Sequence, residues 1–145
     1  VIIWYVLDEP GVAKRDAQLK VAIQHGADIN ATTLLTTSVL QQAISEEKTE
    51  SVRLLLENGV YVNYWVTEED PTPLMYAINS GNKKMVRLLL ENGADTSQTM
   101  KVADYLKMGK KEVNACDFAN KLENREMLAL LECPDAAAAT RPGGS

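Results

Sequence analysis

Apolar residues recur at i, i+3 and i+4 in two short stretches, as Val52, Leu55 and Leu56 and again as Val86, Leu89 and Leu90. That spacing lines up three side chains on one face of a helix, with charged residues on the other. The later stretch predicts a helix from about Lys83 to Asn92, and Gly93 stands just past its end, where a left-handed residue closes the last turn. A shorter helix is predicted ahead of it. Thr72 can N-cap that helix, and Pro73 fits its first position, where a missing N–H costs nothing. It runs to about Asn79, and Ser80-Gly81-Asn82 breaks it. The earlier stretch reads the same way, opened by Ser38-Val39-Leu40 and closed by Gly59.

In places the repetition is literal. The octamer VRLLLENG occurs at 52–59 and at 86–93, and Ala43-Ile44-Ser45 answers Ala77-Ile78-Asn79 at the same shift of 34. A degraded third copy runs from Leu19 to Gly26, so the closing glycines fall at 26, 59 and 93, spacings of 33 and 34. A fixed period of this length marks a tandem array of supersecondary units. One pair of short helices cannot bury its apolar face alone, whereas stacked pairs cover one another. Leu55, Leu56, Leu89, Leu90, Leu130 and Leu131 are the predicted core.

A unit of about 33 residues carrying T-P-L, then Ala, then L-L-x-x-G-A-D resembles the ankyrin repeat. The third unit has Thr72-Pro73-Leu74-Met75-Tyr76-Ala77, Gly81, Val86, Leu89-Leu90 and Gly93-Ala94-Asp95. The second has Ser38-Val39 in place of Thr-Pro and Glu47 in place of the inter-helix Gly, and the first keeps its second helix and Gly26-Ala27-Asp28-Ile29-Asn30. Asn114 to Ala119, followed by Met127 to Glu132, resembles a terminal capping repeat. The resemblance implies an all-α ankyrin-repeat solenoid of stacked helix-turn-helix units with hairpin-like loops. It also implies a non-enzymatic module that binds a protein partner through hairpin tips and inner helices. Carried over by position, that face takes in Leu34 and Leu35 at one hairpin, with Gln42 and Glu46 on the helix behind. The next hairpin adds Tyr64, Trp65, Val66, Glu68 and Glu69, with Tyr76, Asn79 and Ser80 behind it. Aromatic side chains of this kind are common interface anchors. Alternatively, Tyr64 and Trp65 fold back over the stack, because this hairpin is one residue longer than the first.

The departures from the repeat set the expected organisation. The repeat domain spans 12–133, with units at about 12–32, 33–65 and 66–97, an insertion at 98–111 and a cap at 112–132. Within the insertion, Val102, Tyr105 and Leu106 are spaced for one apolar helical face against the third or capping unit. Pro10-Gly11 breaks helix where the first inner helix belongs, so residues 1–11 read as an irregular cap or the remnant of an upstream segment. Residues 134–145 read as a flexible tail or linker. A start without Met points to a processed product or a fragment of something longer.

Composition narrows the function classes. With 145 residues, 46% apolar and 24% charged, the chain is a globular domain, and its net charge of −5 disfavours nucleic acid and anionic membranes as partners. No apolar run approaches the roughly 20 residues of a membrane span. The partner chemistry that suits an aromatic tip beside Glu68-Glu69-Asp70 is an apolar pocket ringed by basic residues. His25 is the only histidine and stands at a helix end, where a structural role outweighs a catalytic one. Cys116 and Cys133 are too few for a disulfide framework and lack further zinc ligands, so they read as reduced thiols of a cytoplasmic protein, with Cys116 in the core. The acidic run 68–70 lacks the ligand spacing of a calcium loop, and no phosphate-binding glycine loop is present. The expectation is therefore no catalytic site, no cofactor and no metal, in a monomeric protein-binding module. The alternative is an interaction domain of a larger enzyme or secreted effector whose catalytic part lies elsewhere.

Overall fold

The structure is a computed structural model that describes residues 11–32, 37–64, 67–102 and 112–134. Among these, seven helices follow one another: α1 (Val12–Gln24), α2 (Val39–Ser45), α3 (Thr49–Glu57), α4 (Pro73–Asn79), α5 (Lys83–Glu91), α6 (Ala115–Lys121) and α7 (Arg125–Leu130). Two short strands, β1 (Met100–Lys101) and β2 (Glu112–Val113), pair antiparallel ahead of α6. None of these helices is long and apolar enough to cross a membrane.

Polar caps start the helices where the sequence places them. The Thr72 hydroxyl accepts from the Met75 N–H with Pro73 in the first turn, and Asn82 and Asn124 cap α5 and α7 in the same way. Ser38 with Gln41 and Asn114 with Asp117 form reciprocal capping boxes. Each satisfies N–H groups that the helix itself leaves open. The helices end on a shared device as well. After α5 the Gly93 N–H donates to the Leu90 carbonyl and the Ala94 N–H to the Leu89 carbonyl, the paired bonds of a left-handed C-terminal motif.

The position after the C-cap is Gly93, at φ 86°, in α5, but Glu47, Glu123 and Glu132 hold it after α2, α6 and α7, at φ 55°, 52° and 55°. A side chain with a Cβ pays steric strain there, and a carboxylate also faces the negative end of the helix dipole. Glu47→Gly is therefore expected to raise stability by about 1 kcal/mol. Gly93→Val should lower it, and by more, since a β-branched residue resists positive φ. Urea unfolding of both variants checks the pair: a less stable Glu47→Gly would mean that the turn is held by something other than backbone conformation.

The helices stack in two rows. The inner row is α2 on α4 on α6, the outer row α1 on α3 on α5, and α7 closes the cap against α6. Leu40, Ile44, Leu55, Ile78, Leu89 and Met127 are fully buried between the rows. The predicted core leucines 55, 56, 89 and 131 are buried, whereas Leu90 and Leu130 are only partly so, packing on the edge of the core. Polar groups also join the units. The Arg15 Nε donates to the Ser51 hydroxyl at 3.2 Å, and that hydroxyl donates to the Asp16 carboxylate at 3.2 Å, which fastens α1 to α3. The Gln41 amide, buried at the start of α2, donates to the Pro71 carbonyl of the following unit at 3.1 Å.

The insertion departs from expectation at its base. Met100 pairs with Val113 and Lys101 with Glu112, so the two ends of the inserted stretch are joined as antiparallel strands. Val102 follows β1 outside any helix and packs with Met75, Met100 and Val113 in a small separate cluster. Burial of alternate residues at the strand ends, Met100 and Val113 in and Lys101 and Glu112 out, overrides the helical spacing. Tyr105 and Leu106 lie outside the described residues.

Candidate partner-binding surface

The repeat register decides which side chains share a face. Residues 34 apart in the second and third units, and 42 apart between the third unit and the cap, occupy equivalent positions, as the N-caps Ser38, Thr72 and Asn114 show. Along the inner row this aligns Gln42 with Tyr76 and Phe118, Ser45 with Asn79 and Lys121, and Glu46 with Ser80 and Leu122. Because α2 packs on α4 and α4 on α6, these three columns run across the stack as one surface.

The expected site residues on α2 and α4 thus come together. Half-buried Gln42 donates its side-chain amide to the exposed Glu46 carboxylate, which also pairs with Lys48. Tyr76 is half-buried against the core, Asn79 is exposed, and Ser80 donates its hydroxyl to the Ala77 carbonyl at 2.8 Å. Burial, together with the negative charge of Asp70, pushes the Tyr76 phenol above its usual range, which keeps it neutral and available as a hydrogen-bond donor. The cap extends the face with Leu122, 43% exposed, which reasoning from the individual repeats did not bring in. Its signal is positional: it stands where Glu46 and Ser80 stand.

At the loop edge, an asparagine ladder sets the spacing of the units. The Asn30 side-chain oxygen accepts from the Tyr61 N–H and that of Asn63 from the Asp95 N–H, both at 2.8 Å, while the Asn63 amide donates to the Gly93 carbonyl at 2.9 Å. Asp28 and Asp95 follow their glycines and turn the chain by accepting from the N–H groups of Asn30 and Ser97. Tyr61 holds that position in the second unit and is 64% exposed, with Tyr64, 41% exposed, three residues on. Tyr61 is a further candidate anchor, legible as an aromatic where both sister units carry aspartate.

In the second hairpin, Glu68 and Glu69 are both exposed. Glu68 pairs with Lys101 and its carbonyl accepts from the Lys101 N–H at 2.6 Å, so the hairpin is tied to β1. The lysine holds the Glu68 carboxyl below the usual range and Glu68 holds the ammonium above its own. Asp70 accepts from the Thr67 hydroxyl at 2.9 Å. Glu69 is exposed beside them, and its charge adds to the hold on the Lys101 ammonium. Leu34, Leu35, Trp65 and Val66 lie outside the described residues.

The cysteines correct the sequence reading outright. Cys116 on α6 and Cys133 just after α7 form a disulfide, with their Cα atoms 5.8 Å apart. Spacing along the chain hides the pair; the α6–α7 turn returns the chain beside its own start. His25 is exposed at the C-cap of α1, as a helix-end residue.

A family model for ankyrin repeats, in three copies, matches residues 12–100. The chain belongs to the ankyrin-repeat family. Its fold is similar to a solved structure of the human ASB11 ankyrin repeat domain, with a TM-score of 0.63 and 27% sequence identity. The alignment covers 97% of this chain and 55% of that one, so the chain spans little more than half the length of that ankyrin domain. No curated protein sequence matches. Ankyrin repeats are in general protein–protein interaction modules, and this chain shares their stacked helical architecture.

Proposed function

We propose that this ankyrin-repeat chain is a non-enzymatic, monomeric module that docks one protein partner along its hairpin tips and inner helices. The observation that carries the reading is the pair of exposed aromatics at the second hairpin: Tyr61 and Tyr64 are two of the four large exposed hydrophobics among the described residues. Exposed apolar side chains gathered on one side mark interaction sites. Glu69 and the overall charge of −5 favour a partner with basic residues around an apolar pocket. Trp65, between Tyr64 and the acidic turn in sequence, is the proposed central anchor.

The test compares affinity and stability together. Trp65→Ala and Tyr64→Ala should each weaken a purified partner's binding by about 2 kcal/mol while leaving the melting temperature of the free chain nearly unchanged. Unchanged affinity in both variants would move the site elsewhere, and a large fall in melting temperature would make these aromatics structural.

The disulfide favours a second reading of the setting. Cytosolic thiols are kept reduced, so a Cys116–Cys133 bridge suits an interaction domain of a secreted effector or a larger exported enzyme better than a cytoplasmic module. Differential alkylation of the protein isolated from its source decides between them: blocked cysteines support export, and free thiols support the cytoplasm.

A further inference from the structure

The outer row carries its own surface pattern, on helices that the proposed partner face does not use. Lys20 of α1, Arg53 of α3 and Arg87 of α5 occupy the same position of successive repeats, and all three are exposed. One residue on, Val21, Leu54 and Leu88 form a parallel apolar column; Val21 is 52% exposed and the two leucines half-buried. A cationic column thus runs beside an apolar one on a chain whose net charge is negative. Between α3 and α5 this surface dips into a groove of about 480 Å³ lined by Glu50, Arg53, Lys84, Arg87, Leu88 and Glu91. Three cations face two carboxylates there, and one of those, Glu50, is already paired with Arg53 at 3.5 Å. Lys84 and Arg87 make no ion pair among the described residues.

We propose that this groove is a second docking surface, for an extended acidic segment of a partner protein. Packed helices lie about 8–10 Å apart, and an extended chain in the polyproline II conformation, with three residues per turn and a rise of about 3.1 Å, brings every third side chain to the same side about 9 Å further on. A segment crossing α3 and α5 therefore places carboxylates three residues apart over Arg53 and Arg87 together. Each guanidinium can take a carboxylate through two parallel N–H bonds, with Lys84 adding a third positive charge. An apolar side chain between the two carboxylates covers Leu88. The surface is separate from the hairpin edge and the inner row, so both faces can be occupied at once.

The probe is a fluorescein-labelled peptide of repeated Glu-Leu-Ser triplets, titrated with the full chain and followed by anisotropy at low and at physiological salt. Binding is expected, weakening as salt rises because the pairs are exposed. Arg87→Glu should weaken it about tenfold, Arg53→Gln by less, and Arg125→Glu, exposed on α7 outside both surfaces, not at all. A matched Gln-Leu-Ser peptide should bind about tenfold more weakly. No binding, equal binding of the two peptides, or an unchanged affinity in Arg87→Glu with the fold intact by circular dichroism each overturns the proposal. So does an equal loss in Arg125→Glu, which would make the effect one of net charge and not of the groove.

Discussion

Leu89→Ala is expected to cost about 2–5 kcal/mol of unfolding free energy, the range for a buried leucine cut back to alanine. Leu89 lies on α5 with no exposed surface, where the outer row meets the inner, and its carbonyl also accepts the Ala94 N–H that closes the helix. Its side chain therefore holds the inter-row core, while its backbone, which alanine keeps, closes the helix end. The neighbouring Leu90 is only partly buried, so Leu90→Ala should lose less, about 1–2 kcal/mol. The pair tests register as well as burial, because a slip of one residue around the helix exchanges their environments. Urea unfolding of the two variants, read as midpoint with the slope held in common, distinguishes them. Equal costs, or a larger cost at Leu90, would mean that α5 presents a different face.

The repeat made most of this legible in the sequence. Apolar residues at i, i+3 and i+4, a Thr-Pro start and a closing glycine are local consequences of helix geometry, and their recurrence every 33–34 residues cannot arise without stacking. That is why the starts of α4 and α5, the left-handed Gly93 and the burial of Leu55, Leu56 and Leu89 all follow from the order of residues. Where the repeat is interrupted, local spacing loses its force. Val102 falls on an apparent helical period with Tyr105 and Leu106, but Met100 and Lys101 ahead of it find strand partners in Val113 and Glu112, a pairing that no short window shows. The candidate surface divides in the same way. Gln42, Glu46, Tyr76, Asn79 and Ser80 come together because register alone aligns them, whereas the pairing of Glu68 with Lys101, 33 residues away, depends on how the hairpin meets β1. Tyr61 and Leu122 were readable only by asking which residues break their own column.

Reduction of the Cys116–Cys133 bridge is expected to cost about 3 kcal/mol, as loop-closure entropy gives for a bridge between residues 17 apart. The effect should also be local. In a stacked array each unit leans only on its neighbours, and among the described residues the cap helices pack on the third unit. Its α7 is the shortest helix described and is followed by Glu132 in a left-handed conformation, so the bridge reinforces a turn that carries backbone strain. Cys133 itself is buried, and its N–H donates to the Leu128 carbonyl, so reduction frees a residue already seated in the closing motif of α7. Amide exchange in α6 and α7 should therefore accelerate on reduction, while α2 and α3 keep their protection. Urea unfolding of the oxidised chain, the reduced chain and the Cys116→Ala, Cys133→Ala double variant gives the magnitude, and agreement of the last two separates the covalent link from the packing of the sulfur atoms. A reduced chain that unfolds at the same urea concentration as the oxidised one would show that the cap is held by its leucines alone, and acceleration spread evenly over all seven helices would show that the array unfolds as one unit.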